Sequence, residues 1–139
     1  MSIRAEIETR ISEQCWDHFN EIAGAADLNS ILAGRVSAPG AYIFRLANAA
    51  AENTRVNAIS QRIQESYAVV VVTRNVRDKG RDSSDESEAL CDLISNCLLG
   101  WEPASAEAPI TYTGGKLITL RDDILFWQEV YKTARYIRA

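Results

Sequence analysis

Apolar residues recur every three or four positions over residues 2–23, which is the spacing of one face of an α-helix. The members of this stripe are Ile3, Ile7, Ile11, Cys15, Phe19 and Ile22. Ser2 is a suitable N-cap residue, and Gly24 is a suitable C-terminal stop. The pattern therefore predicts a first long helix that packs its apolar stripe against the core.

A second helical pattern begins at Ser83. Ser83 and Glu86 have the spacing of a capping box, which satisfies free backbone N–H groups at the start of a helix. The apolar stripe that follows consists of Leu90, Leu93, Ile94, Cys97 and Leu98. Because Gly100 is a typical helix terminator, the pattern predicts a second long helix that ends there.

Between the two helices the apolar period changes to two, which is the period of a β-strand. A strand containing Tyr42, Phe44 and Leu46 is predicted after the turn at Pro39-Gly40. A long and bulged strand is predicted from Val56 to Thr73, because the β-branched residues 69–72 disfavour a helix. Two shorter features are also predicted here: a helical turn at residues 28–32 and a connection at residues 48–54.

The C-terminal region reads as a linker over residues 101–109 followed by strands. Gly114-Gly115 is interpreted as a two-residue hairpin turn between strands at 110–113 and 116–120. Asp122-Asp123 is then a second turn, which leads into a strand at 124–133. The predicted fold class is α+β, with two long helices packed on one face of a mostly antiparallel sheet of about five strands. We expect a single domain that covers residues 1–139.

Composition narrows the classes of protein to consider. The chain has 139 residues and a net charge of −4, from 15 basic and 19 acidic side chains, so nucleic acid as the main ligand is disfavoured. The apolar run Ala68 to Val72 is much shorter than the roughly 20 residues of a membrane span, and no signal peptide pattern precedes it. We therefore expect a cytoplasmic protein without a membrane partner. Its three cysteines, an odd number, are expected to be buried free thiols.

Residues suited to catalysis or metal binding do not form a recognisable set. His18 and Cys15 lie three positions apart, but no further metal ligands have a matching spacing, and we expect His18 to be a partly buried structural residue. Gly114-Gly115-Lys116 is not a phosphate-binding loop, because position 110 is Ile110 rather than glycine. Asp122-Asp123 is interpreted as turn-forming. We expect no enzyme, no metal and no cofactor.

Two features leave structural and functional interpretations open. The segment 74–82 contains Arg74, Arg77, Lys79 and Arg81 against Asp78 and Asp82. It is either a solvated loop or a contact loop for a negatively charged partner or a passing nucleic acid. Trp101 and Trp127 belong either to the core or to a protein interface, since both environments favour large aromatic side chains.

The order and spacing of many short segments resemble the tail terminator family of Mu-like and related contractile-tailed phages and prophages. These segments are Ile7 to Ile11, Ala26 to Leu28, Gly34 to Val36, Pro39 to Tyr42, Gln61 to Ile63, Ala68 to Val72, Arg74 to Gly80, Leu98 to Pro103, Tyr112 to Gly115, and Trp127. Together they extend over most of the chain.

The resemblance implies a ring, commonly of six subunits, on the end of the tail tube. Such a ring stops tube polymerisation and offers a docking surface to the head-side connector protein, and DNA passes through it without specific binding. We expect assembly in the bacterial host cytoplasm and a final place in the tail or neck of the virion. The candidates for subunit contacts are Trp101, Tyr112, Gly114, Gly115 and Trp127. The candidates for contacts with the lumen or the tube are Arg74, Arg77, Lys79 and Arg81.

Two other functions remain as alternatives. Another neck or tail-completion protein, such as a connector adaptor, can form a similar ring. A small-molecule binding domain would instead show an apolar pocket with a few convergent polar groups. The ring stoichiometry, the residues that face the lumen, and an origin from an active phage or a resident prophage stay open.

Overall fold

The computed structural model describes residues 2–74 and 81–139, apart from the side chains of residues 81–83. Within these residues five strands form one sheet in the order β1-β2-β3-β5-β4. All neighbouring strands are antiparallel except β1 and β2, so the predicted α+β class and the mostly antiparallel five-stranded sheet are confirmed. The elements are α1 (Ile3–Cys15), β1 (Glu21–Gly24), α2 (Leu28–Ala33), β2 (Gly40–Ala50), β3 (Ser60–Arg74), α3 (Arg81–Leu98), β4 (Thr111–Arg121) and β5 (Ile124–Arg138).

The first helix is shorter than predicted. Ser2 caps it, with its Oγ accepting a hydrogen bond from the Ala5 backbone N–H at 3.1 Å, but the helix ends at Cys15 and a 3₁₀ turn follows. Phe19 still enters the core, from extended rather than helical backbone. The next residues pair with β2 as strand β1, and this pairing overrides the helical period of the apolar residues. The prediction of two long helices was therefore wrong: α1 has 13 residues, and α3, with 18, is the one long helix.

Helices α1 and α3 pack side by side on one face of the sheet, as predicted. Their buried side chains form one core cluster with Ile43, Val69, Val71 and Tyr131 from that face. Helix α3 begins at Arg81, before the predicted start at Ser83, and the predicted stop at Gly100 is confirmed, where the backbone has φ +81°. Among the helices of the described residues, none is long and apolar enough to cross a membrane.

The short helix α2 covers part of the opposite face and confirms the predicted helical turn. Asp27 caps it by accepting a hydrogen bond from the Ser30 backbone N–H at 2.8 Å. Ile31 on α2 packs with a second cluster that consists of Tyr42, Phe44, Ala68, Val70, Val72 and Phe126. The two longer helices therefore cover more of one face than the six-residue α2 covers of the other.

The long central strand β3 is confirmed, although it begins at Ser60 rather than Val56. Its residues 69–72 have no solvent-accessible surface, because their side chains alternate between the two core clusters. The expected bulge lies in the neighbouring strand β2, between Arg45 and Ala47. Strand β2 also continues through Ala50, so residues 48–50 are strand rather than connection.

The predicted hairpin turn at Gly114-Gly115 was wrong. Both glycines lie inside the continuous strand β4, beside one of its two bulges. The turn between β4 and β5 is formed instead by Asp122 and Asp123, whose φ values of 53° and 63° are left-handed. Two such residues in succession are typical of the type I′ hairpin turn, and Asp tolerates this conformation better than most residues. Asp122-Asp123 is therefore confirmed as turn-forming.

One carboxylate, that of Glu65, is buried within the sheet and is paired with two arginines. Glu65 on β3 is 1% exposed, and its carboxylate accepts hydrogen bonds from Arg45 Nε and Nη2 at 2.8 and 3.0 Å. Arg135 Nε donates a further hydrogen bond at 2.9 Å. Because a buried carboxylate is stable only when paired and hydrogen-bonded, the two arginines hold β2, β3 and β5 together at this level of the sheet.

Replacement of both Arg45 and Arg135 by Met is expected to destabilise the protein by more than the two single replacements added together. Each single variant leaves Glu65 one guanidinium, whereas the double variant leaves a buried carboxylate unpaired, at a cost of about 3 kcal/mol. Urea unfolding followed by circular dichroism measures the difference in free energy of unfolding. Arg62→Met is the control, with an expected change below about 0.5 kcal/mol. Strictly additive single effects would contradict the shared role of Glu65.

Candidate functional site

Strand β4 forms one outer edge of the sheet and carries three of the five predicted interface residues, namely Tyr112, Gly114 and Gly115. Nine of its 11 residues pair with β5, and among the described residues its other side has no strand partner. Leu117 and Leu120 lie on this strand with 54% and 43% of their surface exposed. An edge with free backbone groups and exposed leucines is suited to contact another chain.

Tyr112, Gly115 and Glu129 form a close cluster between β4 and β5. The Tyr112 hydroxyl donates a hydrogen bond of 2.5 Å to Glu129 Oε2, and the Tyr112 ring contacts Tyr131 edge to face. A Cβ atom at Gly115 would lie 2.2 Å from Glu129 Oε2 and 2.9 Å from Tyr112 Oη, so only glycine leaves room for this hydrogen bond. Burial raises the pKa of Tyr112, and the bond to Glu129 raises this pKa further. The tyrosine is therefore held as a donor at the edge.

Trp127 lies on β5 and faces the helices rather than the outer edge. It is half-buried against the first core cluster and forms one wall of a groove of about 290 Å³ between α3 and β5. The other residues around this groove are Ser84, Ser87, Glu88, Cys91, Asp92, Leu125 and Glu129. Trp127 thus contributes to the core and remains partly accessible beside β4.

Trp101 lies in the linker before β4 and has contacts within its own chain. The guanidinium carbon of Arg10 lies 5.1 Å from the centre of its ring, and Arg10 Nε donates to the Cys97 carbonyl at 2.9 Å. The backbone carbonyl of Trp101 accepts a hydrogen bond from Ile110 at 2.9 Å. These contacts hold the linker after α3 against the two helices. A contact between Trp101 and another subunit remains a prediction.

The basic segment predicted as a loop at 74–82 is only partly described. Arg74 is the last residue of β3 and is exposed, and Arg81 is the first residue of α3, so both belong to regular elements rather than to a loop. Arg77, Lys79 and the side chain of Arg81 lie outside the described residues. Their predicted contact with the lumen or the tube stays a prediction.

The possible catalytic residues are distributed as structural or solvent-exposed groups. His18 is exposed in the 3₁₀ turn, not partly buried as expected, and its Nε2 lies 3.7 Å from Asp17 Oδ1. The described part of the chain has no group of three His, Cys, Asp or Glu residues that could hold a metal ion. The prediction that Cys15, Cys91 and Cys97 are buried free thiols is confirmed.

The uncovered part of the sheet was not identified from the sequence. On the face that α2 covers only in part, an open trough of about 450 Å³ extends from β2 to β4. Its walls are formed by Leu46, Ala47, Ser66, Thr113, Gly114, Gly115, Lys116, Gln128 and Val130. The sequence signal for this surface is the run of polar residues at alternate positions in the first half of β3, namely Ser60, Arg62, Gln64 and Ser66. Without the strand order, these positions cannot be assigned to one surface.

The buried thiols should resist modification in the folded protein. Burial raises the pKa of Cys97 to about 12, and the neighbouring Cys15 thiol contributes to this shift. At pH 9, only about one thousandth of such a thiol is the reactive thiolate. We expect slow reaction with a chromogenic disulfide reagent at pH 8–9 and release of three equivalents after unfolding in urea. Rapid labelling of one equivalent in the folded protein would contradict this burial.

Gly115→Ala is expected to reduce stability by about 1–2 kcal/mol, because the added methyl group must displace the Tyr112–Glu129 hydrogen bond. Urea unfolding tests this effect. Tyr112→Phe is the matched variant, since it removes the same hydrogen bond without adding an atom at position 115. The two effects should be less than additive when the variants are combined. Full additivity, or no effect of Gly115→Ala, would show that the methyl group is accommodated elsewhere.

Comparison with known proteins agrees with this architecture and with the resemblance in the sequence. Residues 4–139 match the family model described as phage tail terminator protein. No curated protein matches the chain. A solved chain from the "Virion of native gene transfer agent (GTA) particle" is similar with a TM-score of 0.57 and 10% identity, over 96% of this chain and 93% of that chain. That likeness supports the fold, and the family match extends over nearly the whole sequence. The chain therefore belongs to the phage tail terminator family and is a structural protein of a phage tail.

Proposed function

We propose that this protein forms a closed ring of six subunits on the end of the tail tube. The ring stops further addition of tube protein and provides the surface on which the head-side connector protein docks. The family match supports the place in the tail. The observation that supports ring formation is the exposed, leucine-bearing edge of β4.

Ring closure requires a head-to-tail contact between two different surfaces of the subunit. The β4 edge is at one end of the sheet order. At the other end, β1 pairs with residues 40–43 of β2, and within residues 2–74 and 81–139 no strand pairs with the outer side of the rest of β2. These two sheet edges are the natural candidates for the two contacting surfaces.

The strand directions favour this contact. Each step from β2 through β3 and β5 to β4 is antiparallel, so β4 runs opposite to β1 and β2. When a second copy continues the sheet with the same face outward, its first strand meets β4 in the antiparallel sense. The bulges in β2 and β4 increase local twist and bending, which suits a closed and curved wall.

The other predicted contacts fit around this edge. Tyr112, Gly114 and Gly115 would lie in the contact, Trp127 beside it, and Trp101 at the periphery of the helical layer. The basic residues Arg74, Arg77, Lys79 and Arg81 remain proposed contacts for the tube or the lumen. DNA would pass through the ring without sequence-specific binding.

Light scattering across a concentration series tests the ring and its edge together. We expect the wild-type protein alone to reach six times the chain mass of 15.4 kDa, or, if it is monomeric alone, to sediment together with added tail tubes. Leu117→Lys with Leu120→Lys should prevent assembly, because two desolvated cations would lie at the contact. Val56→Lys with Leu99→Lys is the control, since it adds the same charge at exposed positions away from β4.

The results separate the ring from its proposed edge. A monomeric wild-type protein that also ignores tail tubes would contradict the proposed function. Normal assembly of the Leu117 and Leu120 variant would contradict the β4 contact but leave the ring intact. Binding to the head-side connector without binding to tubes would indicate a connector adaptor instead.

A further inference from the structure

Acidic and basic side chains are separated between the helices and the strands. Helices α1 and α3 contain eight acidic residues, namely Glu6, Glu8, Glu13, Asp82, Asp85, Glu86, Glu88 and Asp92, and three basic ones. The strands contain three acidic residues and eight basic ones, which are Arg45, Arg62, Arg74, Lys116, Arg121, Lys132, Arg135 and Arg138. The chain has a net negative charge, but its acidic excess lies on helices α1 and α3, whereas the strands carry a basic excess.

The few acids on the strands do not neutralise the surface that the helices leave uncovered. Glu65 and Glu129 are buried on the helical side, where they accept hydrogen bonds from arginines and from Tyr112 respectively. Glu21 lies on β1, at the other end of the sheet, and accepts a hydrogen bond from the Tyr42 hydroxyl. The uncovered part of the opposite face consequently has basic but no acidic strand residues.

Three cations define this surface, which we term the open face: Arg62 on β3, Lys132 on β5 and Lys116 on β4. Strand alternation and pairing place them on the same side as Ser66 and Gln128, away from α1 and α3. None of the three forms an ion pair with another residue in the part of the chain that the structure describes. They are therefore available to an external anion.

The strand register spaces the cations evenly along a diagonal of the sheet. Lys116 is opposite Gln128, Lys132 lies four residues further along β5, and Arg62 is opposite Tyr136, four residues further again. Four residues of a strand correspond to about 13 Å, so the row extends over roughly 27 Å. A row of separated cations matches an extended polyanion better than a single small anion.

The residues between the cations permit close approach. The hydroxyl groups of Ser66 and Thr113 can hydrogen-bond to phosphate oxygens, and Gly114 presents no side chain that would obstruct the approach of a ligand. Among the described residues no aromatic side chain lines the trough itself, and Tyr136, which is opposite Arg62 on this face and 37% exposed, lies against Arg138. One such ring does not form a row on which successive unpaired bases could stack, so the surface suits the backbone of a duplex.

We propose that the open face contacts the phosphate backbone of double-stranded DNA without reading its sequence. Its position against DNA in the virion rests on the proposed ring, in which this face would line or border the central hole. A few separated cations give weak and salt-sensitive contacts, which allow DNA to slide. The acidic helical layer, facing away, would not attract the duplex.

Fluorescence anisotropy with a short labelled DNA duplex at low salt tests the open face directly. Arg62→Gln with Lys116→Gln should lower the apparent affinity about tenfold and reduce the slope of log affinity against log salt by about two, because two phosphate contacts are lost. Arg35→Gln with Arg55→Gln is the control, since it makes the same change in net charge at exposed loop positions. This control should bind within about twofold of the wild type.

A charge-conserving variant, Arg62→Lys with Lys116→Arg, should bind the duplex as the wild type does. This result would show that the weaker binding of the charge-removing variant is not caused by misfolding. The proposal is overturned if the wild type does not bind the duplex. It is also overturned if the control variant of Arg35 and Arg55 weakens binding as much as the variant of Arg62 and Lys116. Tighter binding of poly-glutamate than of duplex at equal charge concentration would overturn it in favour of an acidic protein partner. Failure of DNA binding in these experiments would not argue against the proposed ring, because light scattering measures subunit assembly independently of DNA.

Discussion

The structure depends on the complete burial of the central strand β3. Residues 69–72 alternate between two core clusters, and each valine must be covered from its own side of the sheet. Burial of one such side chain contributes about 1.5–3 kcal/mol, so both faces need a cover at this level. Helices α1 and α3 supply it on one face and α2 on the other. The positions of all three helices follow from this requirement.

Helix α2 covers less of the sheet than α1 and α3 do, and this difference explains why part of the α2 face is exposed. Helix α2 has six residues and shields only the part of its face next to residues 69–72. Beyond it, β3 changes from valines to Ser66, Gln64 and Arg62, which tolerate water. On the opposite side, Glu65 is buried but paired with two arginines that snorkel to solvent. The fold thus combines a dry centre with a polar and basic sheet extension and an uncovered β4 edge.

The apolar period of the sequence was sufficient to predict an element when that element buries its own repeating face. The stripe of α3 and the β-branched run of β3 were predicted because one element buries its own repeating face. Phe19 and Ile22 kept the helical period but belong to extended backbone, since pairing with β2 decides their conformation. Gly114-Gly115 was misread because a glycine pair suits a tight turn as well as a crowded strand. Its real constraint is the space taken by Glu129 and Tyr112, which no local pattern reveals.

The candidate surfaces were predictable only in part for the same reason. The family resemblance led to the prediction that Tyr112 and the glycines lie at a subunit contact, but the position of their strand at the edge of the sheet could be seen only from the strand order. Arg62, Lys116 and Lys132 are far apart in sequence and come together only through the register of three strands. A net charge of −4 also conceals a basic face, because total charge carries no information about its distribution.

Electron microscopy of purified tail tubes incubated with the protein shows whether it caps the tube. We expect an additional ring of density on one end of each tube, and capped tubes should not elongate when free tube protein is added. Tubes that remain bare at both ends and continue to elongate would contradict the assignment of this protein as the element that ends the tail.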